Sequence, residues 1–208
     1  MVKRLPPLVK KVPITGHEDK KILLPIFVTL ASLTEGAFVE VGVFTGFSIK
    51  IISKQLKILG DKRIVFGVDT FKGVTKLKGI DLSPYQRKYK EKIKSFFSMS
   101  KEFKEETIRK LEALGNIKII EGKIEDVAPK YFANRKFAFV HLDVDLYETT
   151  KFCIQFFWPR LSKGGIMMIH DYNHAEGKWP GIPLVVHEHF KDEQILTYGS
   201  YAIIIKGN

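Results

Sequence analysis

Five short β-rich runs punctuate the chain, at Ala37 to Val41, Ile64 to Val68, Ile117 to Ile120, Phe137 to Leu142 and Ile166 to Ile169, and helical patterns separate them. Apolar strands joined by helices make a parallel sheet covered on both faces, which gives an α/β class with an open, doubly wound sheet. The last stretch departs from this rhythm. "QILTY", then "GS", then "YAIII" places a two-residue turn between strands, so the mostly parallel sheet is expected to close with a C-terminal antiparallel hairpin.

A helix is expected from Lys21 to Leu33, with Pro25 either in its first turn or kinking it. Residues 1–20, proline- and lysine-rich without periodicity, read as an N-terminal arm, and residues 21–208 as a single domain. A polar insertion at about 82–115 carries two helical patterns, Pro84 to Phe97 and Lys101 to Leu114, too regular for a loop and suited to roof a site.

Composition matters for the environment and the partners. With 45% hydrophobic residues in 208, the chain can bury a real core. Cys153 is the single cysteine, which rules out an internal disulfide and fits a reducing, cytoplasmic setting. The longest early apolar stretch, Ile22 to Leu33, is too short to span a bilayer and contains Pro25, so no membrane partner is expected. The net charge of +11 favours anionic partners, a phosphorylated metabolite or nucleic acid among them, or simply marks a lysine-rich surface.

The ends of the strands carry the chemistry. In "AFVEVGVFTGFSIKII" an apolar strand ends in Glu40, Gly42 and Gly46 frame a tight turn, and Ser48 lies near the start of a helix. Ligands of parallel sheets sit outside the carboxyl ends of the strands, where glycine lets the backbone approach them. The G-x-x-x-G spacing lacks the third glycine of a dinucleotide site, and alone it is as readily a structural turn. The second strand ends in Asp69, placed to accept ribose hydroxyls or to cap a turn, and the third leads to Glu121 and Gly122 in "IIEGKIEDV". Acids or glycines at the ends of three consecutive strands favour an adenosine-containing ligand over three separate caps.

Taken together, "FVEVGVFTGFS", "VFGVDTFKG", "EGKIEDVAP", "LDVDLYETT" and "WPRLSKGGIMMIHDYN" resemble the class I S-adenosylmethionine-dependent methyltransferases, and within them the macrocin O-methyltransferase-like group. The resemblance covers most of Ala37 to Gly181. It implies a Rossmann-like fold and methyl transfer from S-adenosylmethionine to a hydroxyl of a small molecule, a sugar or other secondary metabolite, assisted by a divalent metal. By position it implies Glu40, Gly42, Gly46 and Ser48 at the methionine end of the cofactor and Asp69 at the ribose. Glu121, Gly122, Lys123 and Ile124 would flank the adenine. It assigns Asp143, His170 and Asp171 to the metal, Asp143 also bordering the cofactor and acting in catalysis. His170 stands where the group usually carries an acid, and imidazole suits Mn²⁺, Fe²⁺ or Zn²⁺ better than the Mg²⁺ the family implies.

Other residues are weighed individually. His174, past the fifth strand, is a candidate general base or a solvated loop histidine. His187 and His189 lack the H-E-x-x-H zinc spacing and read as helix-surface residues, and His141 as a satisfied core histidine. Tyr147, Tyr172 and Trp179 are candidates to border the acceptor, and the lysines of the insertion suit an anionic group on it. Asp145 followed by Glu148 has capping-box spacing, so its carboxylate is expected to cap a helix, with Asp143 left for the metal and Asp145 as the substitute. Alternatives are an RNA ribose O-methyltransferase and a non-catalytic S-adenosylmethionine-binding protein. A homo-oligomer is compatible with the sequence.

Overall fold

The computed structural model describes residues 18–207 except 75, 91, 94–96 and 174–176. Its centre is one seven-stranded sheet. In chain order the strands are β1 (Ala37–Val41), β2 (Val65–Asp69), β3 (Ile117–Glu121), β4 (Phe137–Leu142), β5 (Leu161–Ile169), β6 (Leu196–Tyr198) and β7 (Tyr201–Ile205). Their spatial order is β3-β2-β1-β4-β5-β7-β6; the first five are parallel, and β7 and β6 are antiparallel. Order reverses between β1 and β4, and that reversal opens a crevice at the carboxyl edge. The fold is that of class I methyltransferases, mostly parallel with an antiparallel C-terminal hairpin.

Side-chain alternation fills both faces. Phe38, Phe139 and Met168 point towards α1 (Glu18–Ser32) and α2 (Phe47–Ile58), where they meet Leu24, Val28, Ile49 and Ile52. Val39, Val140 and Met167 point the other way, towards α5 (Ile124–Tyr131), α6 (Tyr147–Phe157) and α7 (Gly181–His189), where Val127, Phe157 and Val185 receive them. Strands buried on both sides must be mostly apolar, which is why β4 reads as an apolar run interrupted only by His141.

The expected strands β1 and β4 are met residue for residue, while β5 begins five residues earlier than its apolar run. Its first half, Leu161 to Gly165, is polar and glycine-bearing, and a register irregularity separates its pairing at Leu161 from that at Ile166. In the insertion, the first helical pattern is helical at Pro84–Arg87, α3, and again at Lys90, Lys92 and Ile93, and the second forms α4 (Lys101–Glu112). Helix α1 starts at Glu18, so Pro25 lies well inside it rather than in the first turn. Residues 1–17 of the expected arm lie outside the described residues.

One acid fixes the end of an element from a distance. The helix α6 has Leu146 at its N-cap with no side-chain cap, so the expected capping box of Asp145 and Glu148 does not form. Instead Asp81, buried in a short turn of the insertion, accepts the Tyr147 N–H at 2.8 Å and the Lys78 N–H at 2.7 Å. Glu148 turns outward to Lys78. Sequence spacing alone could not foresee a cap that comes from 66 residues away.

Candidate active site

Beyond the carboxyl edge lies a cavity of about 810 Å³, lined by loops after β1, β2, β3, β4 and β5. Its walls include Gly42, Ser48, Asp69, Gly122, Lys123, Ile124, Asp143, His170 and Asp171, so one cavity gathers nine of the residues expected from sequence. Glu40, Gly46 and Glu121 stand behind or beside the wall. Glu40 is fully buried, with Oε1 2.7 Å from His141 Nδ1, while His141 Nε2 reaches the Tyr201 hydroxyl at 3.0 Å. Both nitrogens of His141 are thus engaged in the core, as expected of it. Glu121 faces outward and accepts from Lys104 at 2.9 Å. His174 lies outside the described residues.

The loop after β1 is shaped by two constraints. Gly42 has φ +91°, and a Cβ there would lie 1.9 Å from the Asp143 carbonyl oxygen, because the chain leaving β1 runs against the chain leaving β4. Gly46 has φ +78° at the start of α2, and its missing Cβ leaves room for Leu111. Asp69 holds the loop from the next strand: Oδ2 accepts the N–H groups of Val43 and Phe44, each at 2.7 Å, and Oδ1 accepts the Phe71 N–H. Asp69 therefore works first as a turn anchor, the second of the two roles its position allowed.

Opposite this loop the ends of β4 and β5 bring together Asp143, His170 and Asp171. Each can offer a ligand atom, and those atoms lie within 4.8 Å of one another. His170 Nδ1 is 2.9 Å from Asp143 Oδ1 and 3.1 Å from Asp171 Oδ2. These are ion-pair distances with poor hydrogen-bond direction, and neither ring nitrogen has a hydrogen-bond partner among the described residues. A buried imidazole lacking directed partners beside two carboxylates is a donor set that fits a divalent cation, with the nitrogen favouring a transition metal.

Sequence reasoning missed one member of the cluster, Lys20, and gave Asp145 first to a cap. Lys20, from the first turn of α1, reaches Asp143 Oδ2 at 2.5 Å and lines the cavity. Asp145 lines it too, with φ +61°, so it is a wall residue rather than a cap. Nothing in the spacing around Lys20 could have placed it, since its partner is 123 residues away. Among the described residues, four of the five non-glycine residues with positive φ, namely Phe44, Asp145, Asp171 and Trp179, line this one cavity, the pattern of strain held at a working site.

Charge is balanced internally. Burial opposes ionisation of Asp143, yet Lys20 and His170 together hold its carboxyl well below the usual range. Burial likewise opposes protonation of His170, but Asp143 and Asp171 outweigh it and raise the imidazole to about 10. Asp145 goes the other way: burial first, then the negative charges of Asp171 and Asp143, push its carboxyl well above the usual range. Two neighbouring acids, Asp143 and Asp145, are thus shifted in opposite directions.

A family model, macrocin-O-methyltransferase (TylF), matches residues 27–199, most of the chain and all of the cavity lining except Lys20. The chain belongs to the macrocin-O-methyltransferase family. Within reach of this family member is a curated relative from Streptomyces olivaceus, 8-demethyl-8-(2,3-dimethoxy-alpha-L-rhamnosyl)-tetracenomycin-C 4'-O-methyltransferase, 30% identical over 146 residues. The alignment covers 69% of this chain and 55% of that protein, so the macrocin-O-methyltransferase family member described here spans little more than half of that relative. Among solved structures, the calicheamicin methyltransferase CalS11 superposes with a TM-score of 0.80 at 18% identity, over 94% of this chain and 82% of that one. The O-methyltransferase NovP gives 0.72 at 22%, over 91% and 80%. At such identities the two structures bear on the fold of this family member.

Proposed function

We propose that the protein is an S-adenosylmethionine-dependent O-methyltransferase acting on a hydroxyl of a small molecule, a sugar or other secondary metabolite, with a divalent cation assisting. One observation carries this reading: a single cavity is walled on one side by the Gly42 to Ser48 loop and Gly122 to Ile124, and on the other by Asp143, Asp145, His170 and Asp171. A nucleoside-sized donor and a hydroxyl acceptor would meet between those walls. S-adenosylmethionine supplies a methyl group activated on a sulfonium, and a bound cation would lower the pKa of an acceptor hydroxyl.

The chain's own residues then have distinct tasks. Gly42 and Ser48 would receive the methionine end of the donor, while Asp69 would keep the loop rigid and border the ribose. Gly122, Lys123 and Ile124 would flank the adenine. Asp143, His170 and Asp171 would hold the cation, and Asp145, on the same cavity wall, is the group we assign to receive the acceptor's hydroxyl proton. Trp179, 6% exposed, closes the outer wall and would limit the acceptor's size. Lys76 and Lys123 on the cavity wall suit an acceptor bearing a negative group. The buried thiol of Cys153 suits a cytoplasmic enzyme.

Calorimetric titration with S-adenosylmethionine and S-adenosylhomocysteine tests the donor, and methyl transfer to a panel of free and nucleotide-linked deoxysugars tests the acceptor. Micromolar binding of both nucleosides is expected. If neither binds at millimolar concentration, the reading is wrong; transfer to RNA but to no sugar would move the activity to the ribose O-methyltransferase alternative.

A further inference from the structure

Lys20 reaches the centre from an element that contributes no other side chain to the cavity wall. Its residue is 8% exposed, and its ammonium meets Asp143 Oδ2 at 2.5 Å. The approach is not left to a flexible chain end. Asp19, fully buried, accepts the Lys20 backbone N–H at 2.8 Å through Oδ1 and the Ser200 N–H at 2.9 Å through Oδ2, tying the first turn of α1 to the β6–β7 turn. The amine is thereby aimed at a carboxylate whose other oxygen already faces His170 Nδ1 at 2.9 Å.

Both oxygens of Asp143 are therefore engaged by groups of this chain. A divalent cation binds carboxylate oxygen at roughly 2.0–2.6 Å. An ion on Asp143 would lie against the Lys20 ammonium, and like charges that close in a buried site repel strongly. Resting on the reading of Asp143, His170 and Asp171 as a cation site, we propose that Lys20 is a positioning residue that acts as the site's resident counter-cation. It holds Asp143 while no metal is bound and must withdraw when metal binds, so metal affinity is set by competition with an amine built into α1. The chemical class of the competitor is a divalent transition-metal ion, for which Mn²⁺ is the probe.

The test measures Mn²⁺ binding to the full chain by loss of the free-ion electron paramagnetic resonance signal, for wild type, Lys20→Met, Lys20→Arg and Asp143→Asn. Lys20→Met is expected to bind Mn²⁺ at least tenfold more tightly than wild type, and Lys20→Arg to bind no more tightly than wild type. The thermal midpoint of Lys20→Met should fall without metal and rise with a fixed excess of Mn²⁺ by more than that of wild type, whereas a merely structural loss would leave the metal-induced gain equal in the two. Measurable but equal affinities in wild type and Lys20→Met overturn the competition and leave the cation site standing. Absence of binding in both overturns the cation site, and this proposal with it. Should Lys20→Met not fold, Asp19→Asn loosens the tether without touching the amine; it is expected to tighten Mn²⁺ binding, and unchanged binding in that variant counts against the proposal.

Discussion

Gly42 is the position where one added carbon would be felt most. Its φ of +91° and the 1.9 Å approach of a Cβ to the Asp143 carbonyl mean that Gly42→Ala must either strain the loop or push β1 and β4 apart. Positive-φ strain and overpacking each cost about 1–3 kcal/mol, so urea unfolding should show a loss of roughly 2–5 kcal/mol, with weaker S-adenosylhomocysteine binding. Retention of wild-type stability would mean the loop is looser than described. His170 makes a second prediction at this level. Its folded pKa is raised from 6.5 to about 10, so its contribution to stability is full below pH 6.5 and is lost as pH rises towards 10. Asp143, depressed in the folded state, contributes above 3.8 and loses that contribution as pH falls through its folded value. Urea midpoints should therefore decline across pH 7 to 10, and His170→Asn should flatten that limb; a wild-type curve flat over the same range would contradict the ion-pair geometry.

The helix α6 depends on a cap that its own sequence does not contain. Asp81 satisfies the first N–H of α6 and the Lys78 N–H, so it joins the insertion to the core. Asp81→Ala should cost about 1–2 kcal/mol, read as a fall in urea midpoint, whereas Asp145→Ala should spare α6 and act on the cavity instead. A larger effect of Asp145→Ala on helix content would restore the capping box that spacing suggested. The contrast shows what could be read from the chain. Strands β1 and β4 were legible because burial on both faces writes a mostly apolar run, broken once in each by Glu40 and His141, and the hairpin because a glycine-bearing two-residue turn separates its strands. The start of β5 was not, since its pairing is made by the backbone of polar and glycine residues. Asp143, His170 and Asp171 were grouped by what the family resemblance implies for the ends of two strands, whereas Lys20 and the true setting of Asp145 depend on contacts that no local pattern encodes.

Across the whole molecule, α1 is pinned at both ends. Arg63 donates to the carbonyls of Ser32, Thr34 and Gly36 at its C-terminal end while its guanidinium lies over Phe38, 4.7 Å from the ring centroid. Asp19 fastens the other end to Ser200, a hydrogen bond spanning 181 residues. Contacts of such separation form late, because the loop they close loses the most entropy. In pulse-labelled refolding, the Ser200 amide should gain protection after the amides of β1 and β4; earlier protection would contradict this order. The consequence reaches biosynthesis. A ribosome feeds out Lys20 and Asp143 before Ser200, so on the nascent chain the amine meets Asp143 without the tether that aims it. The centre is therefore not fully fastened until Ser200 has been made, and a chain released short of it would carry a sheet whose carboxyl edge is not settled.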